Sequence, residues 1–395
     1  MRRLFLLVSA AVFVDTMFYG AITPLLPHLS EKLDLSKSEA GVLAASYAAG
    51  TLLGSLPGGW LAGRIGVKPT LLAGLALLGA TSLVFGFAQS VLLLDLMRFV
   101  QGIGGAFMWS AGLAWLVGAS PPERRGELIG SALGAAIAGG LLGPVLGGAA
   151  SELGPEPVFA AVSVASLLLG IIAWGTPGIP PAASGGMRSL FSALRARPVL
   201  VGVGLFVLPA VYSGVLGVLA PLRLDELGAS GLVIGAVFLA AGGVEALLSP
   251  VVGRLSDRHG RLLPIRAGLA GAAICAFLLP LPGSAVLLAA VVLLGVSALG
   301  AFWAPVMALL SDASDDAGLD QGLGFAISNL AWSSGQLIGG GGGAALADAS
   351  ADAVPYWLLA AACALTLARL LAPGRAMAGS AGGAGSGEVV GERSS

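Results

Sequence analysis

The sequence predicts an all-α membrane protein whose twelve transmembrane helices form two pseudo-symmetric six-helix bundles. Three observations predict it: composition, the recurrence of long apolar runs, and an internal repeat. Of 395 residues, 56% are hydrophobic and 10% are charged, with a mean hydropathy of +0.94. Water-facing domains carry roughly 25% charged residues, so this chain lacks the polar surface that water demands. A spanning helix needs about 20 mostly apolar residues. Runs of that kind recur at 4–27, 41–62, 69–88, 91–117, 127–150, 158–176, 199–220, 231–252, 262–281, 285–310, 322–346 and 354–372.

The first run follows Met1-Arg2-Arg3 and resembles a secretory leader. However, Asp15 interrupts it and no small-residue cleavage site ends it, so it reads as a retained first helix. The longest polar break, 177–198, separates six runs from six. The chain therefore divides into an N-terminal bundle (1–176), a cytoplasmic central loop (177–198), a C-terminal bundle (199–372) and a Gly/Ala/Ser-rich tail (373–395) that reads as disordered. With the N-terminus inside, sixteen Lys and Arg residues fall in inner segments, and only Lys32, Lys37 and Arg223 fall in outer ones. Basic residues accumulate in cytoplasmic loops, so both termini are expected in the cytoplasm.

The two halves also echo each other. Gly59-Trp-Leu-Ala-Gly-Arg64 recurs as Gly253-Arg-Leu-Ser-Asp-Arg258, and Gly105-Ala-Phe recurs as Gly300-Ala-Phe. Gly139, Gly143 and Gly147 recur as Gly335, Gly339 and Gly343. A nearly constant offset in three places indicates a duplicated six-helix unit, and two such units rocking about a central site would give alternating access.

Charge and composition narrow the functions. The net charge of −1 gives no reason to expect a nucleic acid partner. Cys275 and Cys363 lie far apart within apolar runs and read as core residues, and a chain with only two histidines offers no metal cluster. No G-x-x-x-x-G-K-[ST] phosphate loop is present, so ATP drive within the chain is not expected. No nucleophile–base pair suggests an enzyme, and no cofactor is expected.

The motifs carry a resemblance. Gly253-Arg-Leu-Ser-Asp257-Arg258-His-Gly260-Arg261 resembles the G-x-L-x-D-R-x-G-R loop of the major facilitator superfamily. Its first-half counterpart, Gly59 to Lys68, keeps Arg64 and Gly66 but has Gly63 where the family usually has Asp. Glycines suit a tight turn there, and the charges would latch one helix end to its neighbour as a gate. Arg98-Phe-Val-Gln101-Gly is similar to the family's R-x-x-Q-G motif. Within a span, a guanidinium should face a polar cavity or a partner. Asp95, one turn earlier, offers a local pair, while the functional alternative is an organiser of proton transfer. Gly139-x-x-x-Gly143-Pro144-x-x-Gly147-Gly148 resembles the signature of the drug–proton antiporter branch. In physical terms, the proline kinks the helix and the glycines allow close packing.

Two acids sit deep in the runs. Asp15 lies about eleven residues into the first, near mid-membrane at 1.5 Å per residue. A carboxylate there must be neutralised, paired or hydrated, and it can exchange a proton for a cation because both compete for one negative site. The segment Phe13 to Pro27 looks like the first helix of vesicular amine transporters and related multidrug exporters, in which Asp15 matches the amine-recognising acid. Phe325 to Asn329 resembles a segment where those transporters place an aspartate, so Asn329 departs from them. Glu245, near the middle of the eighth run, is the second deep carboxylate. Asp15 and Glu245 are thus the expected proton and cation sites, in either order, with Arg98 beside them. Asn329, Trp332, Ser333 and Gln336 share one helix face, as do Asp15 and Tyr19. With Gln101 they make an expected cavity lining suited to flat or cationic molecules.

The resemblance implies a major facilitator fold, and the high Gly, Ala and Arg with scarce Lys point to a bacterial chain, hence to an inner membrane. The resemblance further implies a monomer, driven by the proton gradient, that exports small lipophilic cations. A proton symporter or uniporter for a nutrient, and a transport-inactive sensor or scaffold, are the alternatives.

Overall fold

Apolar runs must form helices in lipid, because only a helix satisfies every backbone polar group within one segment. The computed structural model describes residues 2–121, 125–180, 196–316 and 321–372. Among them are α1 (Arg2–Leu33), α2 (Lys37–Arg64), α3 (Val67–Phe87), α4 (Val91–Ala119), α5 (Arg125–Leu153) and α6 (Pro155–Trp174). The second set comprises α7 (Arg197–Glu226), α8 (Gly231–His259), α9 (Leu262–Leu278), α10 (Ala285–Asp316), α11 and α12 (Ala353–Leu371). Helix α11 runs Gln321–Gln336, loosens into a π-helical stretch Leu337–Gly342 and resumes as Gly343–Ala349. No strand occurs among the described residues. Among the described residues ten helices are long and apolar enough to cross a membrane, and α9 is a shorter apolar helix of 17 residues. Large apolar side chains such as Leu92, Leu167, Leu247 and Val286 are exposed, as a lipid-facing surface requires.

The helices outrun the apolar segments at their polar ends, and this corrects one expectation. Gly59 lies inside α2, and Gly253, Asp257 and Arg258 lie inside α8, so these residues are helical and not part of a loop. In these two motif segments the chain turns at Gly66 (φ 101°) and Gly260 (φ 81°), in the left-handed region that glycine enters without a Cβ penalty. Charged residues end a membrane span without ending the helix, because water at the interface tolerates both. The Asp257 side chain and the segments 181–195 and 373–395 lie outside the described residues, and with them the body of the expected central loop and the tail.

Close packing in each half follows its glycines. A Cβ on Gly139 would stand 2.2 Å from the Phe13 carbonyl oxygen, one on Gly143 2.7 Å from that of Met17, and one on Gly147 2.0 Å from that of Ala21. These glycines seat α5 directly on the α1 backbone on either side of Asp15. Thr16 adds a cross-helix bond, its hydroxyl donating to the Ala136 carbonyl at 2.8 Å. The second half repeats the device: a Cβ on Gly335 would meet Ala210 at 2.4 Å, one on Gly339 the Val211 carbonyl oxygen at 2.1 Å, and one on Gly343 Val215 at 2.7 Å. So α11 lies on α7 as α5 lies on α1. Where α5 carries Pro144, α11 carries Gly340 inside its π-helical stretch, and each is a known source of helix bending.

The halves meet along α5 with α8 and α2 with α11, with α1 beside α7 and α8. The tight contacts cluster toward one end of the bundle. There a Cβ on Gly41 would meet Ala344 at 2.3 Å, and one on Gly235 the Pro144 carbonyl oxygen at 2.5 Å. At that end Lys37 bonds Asp352 at 2.6 Å and approaches Glu226 at 3.7 Å, tying the first half to the second.

Candidate transport site

Between the halves lies a cavity of about 340 Å³, walled by α1, α2, α7, α8, α10 and α11. Its lining is mostly apolar, with Tyr19, Phe238 and Trp303 as the aromatic members and Ser213, Gln336 and Glu245 among the polar ones. Trp303 is held by Phe206, the ring centroids 4.8 Å apart. The Gln336 amide N–H donates to the Ser213 hydroxyl at 2.8 Å, joining α11 to α7 at the wall.

Asp15 sits behind this wall and is 1% exposed. The Tyr47 hydroxyl donates to its Oδ2 at 2.8 Å, and the Trp109 indole N–H donates to the same oxygen at 3.0 Å. Oδ1 has no hydrogen-bond partner among the described residues. The carboxyl fits because Gly105 lies beneath it: a Cβ there would stand 2.6 Å from the Tyr47 hydroxyl and 2.9 Å from Oδ1.

Arg98 is also 1% exposed. It donates to the Gln101 side-chain oxygen at 3.0 Å and lies 5.2 Å from the Tyr47 ring centre and 5.9 Å from that of Tyr19. Tyr47 thus stands between the two charges, its hydroxyl on Asp15 and its ring face under Arg98. The local Asp95–Arg98 pair does not form; the guanidinium turns toward α1 and α2 instead. Tyr19 packs against Tyr47 at 4.9 Å and against Trp332 of the other half at 5.2 Å, closing the space between Asp15 and the cavity.

Glu245 contrasts with Asp15 in burial and in partners. It is half-buried, lines the cavity directly, and has no hydrogen bond or ion pair among the described residues. Gly300 lies against it, where a Cβ would stand 2.3 Å from its Cγ.

Two repeated helical units packed about one cavity suit a carrier that opens to either side of the membrane in turn. A model of the Major Facilitator Superfamily matches residues 8–318 and 201–388. The chain belongs to the Major Facilitator Superfamily. It is a multi-pass membrane protein. "MFS-type transporter ppzB" of Metarhizium rileyi is 30% identical over 169 residues, covering 42% of this chain and 35% of that protein. The chain thus spans about a third of the length of that fungal relative. "Uncharacterized MFS-type transporter YcaD" of Escherichia coli O45:K1 is 28% identical over 289 residues, 67% of this chain and 69% of that one. A crystal structure of a D-xylose-proton symporter superposes with a TM-score of 0.73 at 19% identity, covering 93% of this chain and 97% of that one. At that identity the likeness concerns the fold alone.

Within this facilitator, the structure brings Tyr19, Gln336 and Glu245 to one cavity and gathers Asp15, Arg98 and Gln101 behind it. Trp332 touches Tyr19, whereas Asn329 is half-buried on α11 and does not line the cavity. Gly148 faces α8 across the halves, its Cβ position 3.1 Å from the Gly231 carbonyl oxygen. Arg64 is exposed and stacks over Trp60 at 4.9 Å, and Arg258 is exposed. Arg261 pairs with Asp312 within the second half. Sequence reasoning missed Tyr47, Ser213 and Phe238. A tyrosine inside an apolar span was the available signal for Tyr47, since a buried phenol needs a hydrogen-bond partner.

Proposed function

We propose that this protein is a proton-coupled secondary antiporter that exports small lipophilic cations by alternating access. It works as a monomer without a cofactor, in a bacterial inner membrane, with both termini in the cytoplasm. One observation carries the reading: two carboxyl groups lie deep between membrane-buried helices, one enclosed and one open to a cavity shared by both halves. Ionisable groups at such depth are costly, and in transporters they mark ion and substrate paths. Each charge crossing the membrane potential supplies about 2.3 kcal/mol per 100 mV, enough for one proton to sustain a useful gradient. The glycine ridge and Pro144 of α5 support exchange over symport by their resemblance to the antiporter branch.

Orientation follows from the excess of basic residues in the expected inner segments. On that reading the end tied by Lys37 and Asp352 is the outer one, and the cavity belongs to a state closed toward the outside.

The test uses purified protein in liposomes with an acidic interior and an internal pH dye. Organic amines, other organic cations and neutral drugs are added outside, with protein-free liposomes as the control for passive entry. Protein-dependent proton release that Asp15→Asn abolishes supports the antiporter. A broad panel that moves no protons, with Asp15→Asn changing nothing, sinks it and favours facilitated uptake or a non-transport role.

A further inference from the structure

We propose that Glu245, and not Asp15, holds the charged head of the substrate, and that the substrate is a monoammonium compound with an aromatic or alicyclic body. The proposal rests on the antiporter reading and assigns the two carboxyls different tasks within it.

Position is the first argument. Glu245 lines the cavity, whereas Asp15 is absent from its lining and only 1% exposed behind the Tyr19–Trp332 contact. A substrate in this cavity reaches Glu245 without moving a helix, but it reaches Asp15 only after that contact parts.

Charge is the second. Asp15 already accepts two hydrogen bonds, and Arg98 faces it across the Tyr47 ring. Its negative charge therefore has a fixed counterpart in the first half. Among the described residues Glu245 has no cation and no hydrogen-bond donor, and no other Asp, Glu, Lys or Arg of theirs lines the cavity. An ionised carboxylate held away from bulk water without a counterion is costly, and a single positive charge on the substrate balances it.

Shape supplies the rest. Tyr19, Phe238 and Trp303 offer ring faces to an apolar body, and aromatic faces also attract ammonium groups. The Gln336 N–H is committed to Ser213, so its carbonyl oxygen is available to accept from an ammonium N–H. Gly300 is a positioning residue: only a residue without a Cβ leaves room for the Glu245 side chain to lie flat on α10.

Binding of three amines is measured on the full chain in lipid nanodiscs: 4-tert-butylbenzylamine, 1-adamantylmethylamine and tryptamine. Each is paired with the neutral alcohol of matched shape. At least one amine should bind wild type more tightly than its alcohol. Glu245→Gln should weaken that amine about tenfold or more, the loss expected of one charge-assisted contact, and leave the alcohol unchanged. Gly300→Ala should narrow the preference for amine over alcohol in the same sense, and Glu245→Asp should restore part of it. Asp15→Asn should keep amine binding within about threefold of wild type, since a factor of that size is under 1 kcal/mol. Equal amine binding by wild type and Glu245→Gln overturns the proposal. So does loss of amine binding in Asp15→Asn alone, or a wild type that binds none of the three. Proton release in liposomes, run in parallel, separates the two readings. If amine-driven release survives Glu245→Gln but not Asp15→Asn, antiport stands and this assignment falls.

Discussion

Gly105 and Gly300 stand 195 residues apart, and each lies directly against a carboxyl group, Gly105 under Asp15 and Gly300 under Glu245. They belong to the same Gly-Ala-Phe element of the internal repeat. Duplication therefore gave α4 and α10 an equivalent notch, and the two halves filled it with acids from different helices, α1 and α8. Gly105→Ala should drive a methyl group to within 2.6 Å of the Tyr47 hydroxyl and break its bond to Asp15. Overpacking of this kind costs about 1–3 kcal/mol. A fall in thermal midpoint together with lost proton release is the expected result, and wild-type values for both would contradict it.

Tyr47 and Trp109 donate to the same oxygen of Asp15, so their contributions should be coupled. Each single change, Tyr47→Phe or Trp109→Phe, should cost about 1–3 kcal/mol by leaving a buried carboxyl short of a donor. The double variant should deviate from the sum by at least about 0.5 kcal/mol, as residues sharing a partner do. Chemical denaturation of the four proteins measures it, and strict additivity would argue against the shared acceptor.

The α5 ridge predicts a contrast between neighbouring glycines. Gly139→Ala and Gly147→Ala place a methyl group about 2 Å from an α1 carbonyl oxygen, and the backbone there cannot step aside cheaply. Both should lose transport and several degrees of thermal midpoint. Gly140→Ala, where a Cβ meets nothing within 4 Å, should behave as wild type. Equal tolerance of all three would show that close α1–α5 approach is not needed.

Lys37 binds Asp352 and approaches Glu226 at the end where the halves meet most tightly. Lys37 and Asp352 are about a third exposed and Glu226 more so, so the contacts should contribute no more than about 1 kcal/mol. That is enough to shift a two-state equilibrium severalfold. With a cysteine placed at the cavity residue Thr23, Lys37→Gln should speed labelling by an impermeant thiol reagent applied from that side. Cys275 and Cys363 are buried, which keeps the background low. Exchanging the charges, Lys37→Asp with Asp352→Lys, should return the rate toward wild type, and an unchanged rate in Lys37→Gln would refute the latch.

Solvent and architecture were legible in the residues alone. A chain with 10% charged residues and twelve apolar runs can only satisfy its backbone as helices in lipid, and a repeat at a near-constant offset makes the halves alike. The sequence also exposed Asp15, Arg98 and Glu245, because a charge inside an apolar run is visible without any coordinates. Helix ends were less legible, since Gly59 and Gly253 sit where the membrane stops but the hydrogen-bond ladder continues. Tertiary structure alone decided what each charge meets. Asp15 and Glu245 look equivalent along the chain, yet Tyr47 and Trp109 from two other helices enclose the first, and nothing described pairs with the second. Partners at such distances in sequence are chosen by how helices pack, and that packing turns on which glycines let two backbones touch.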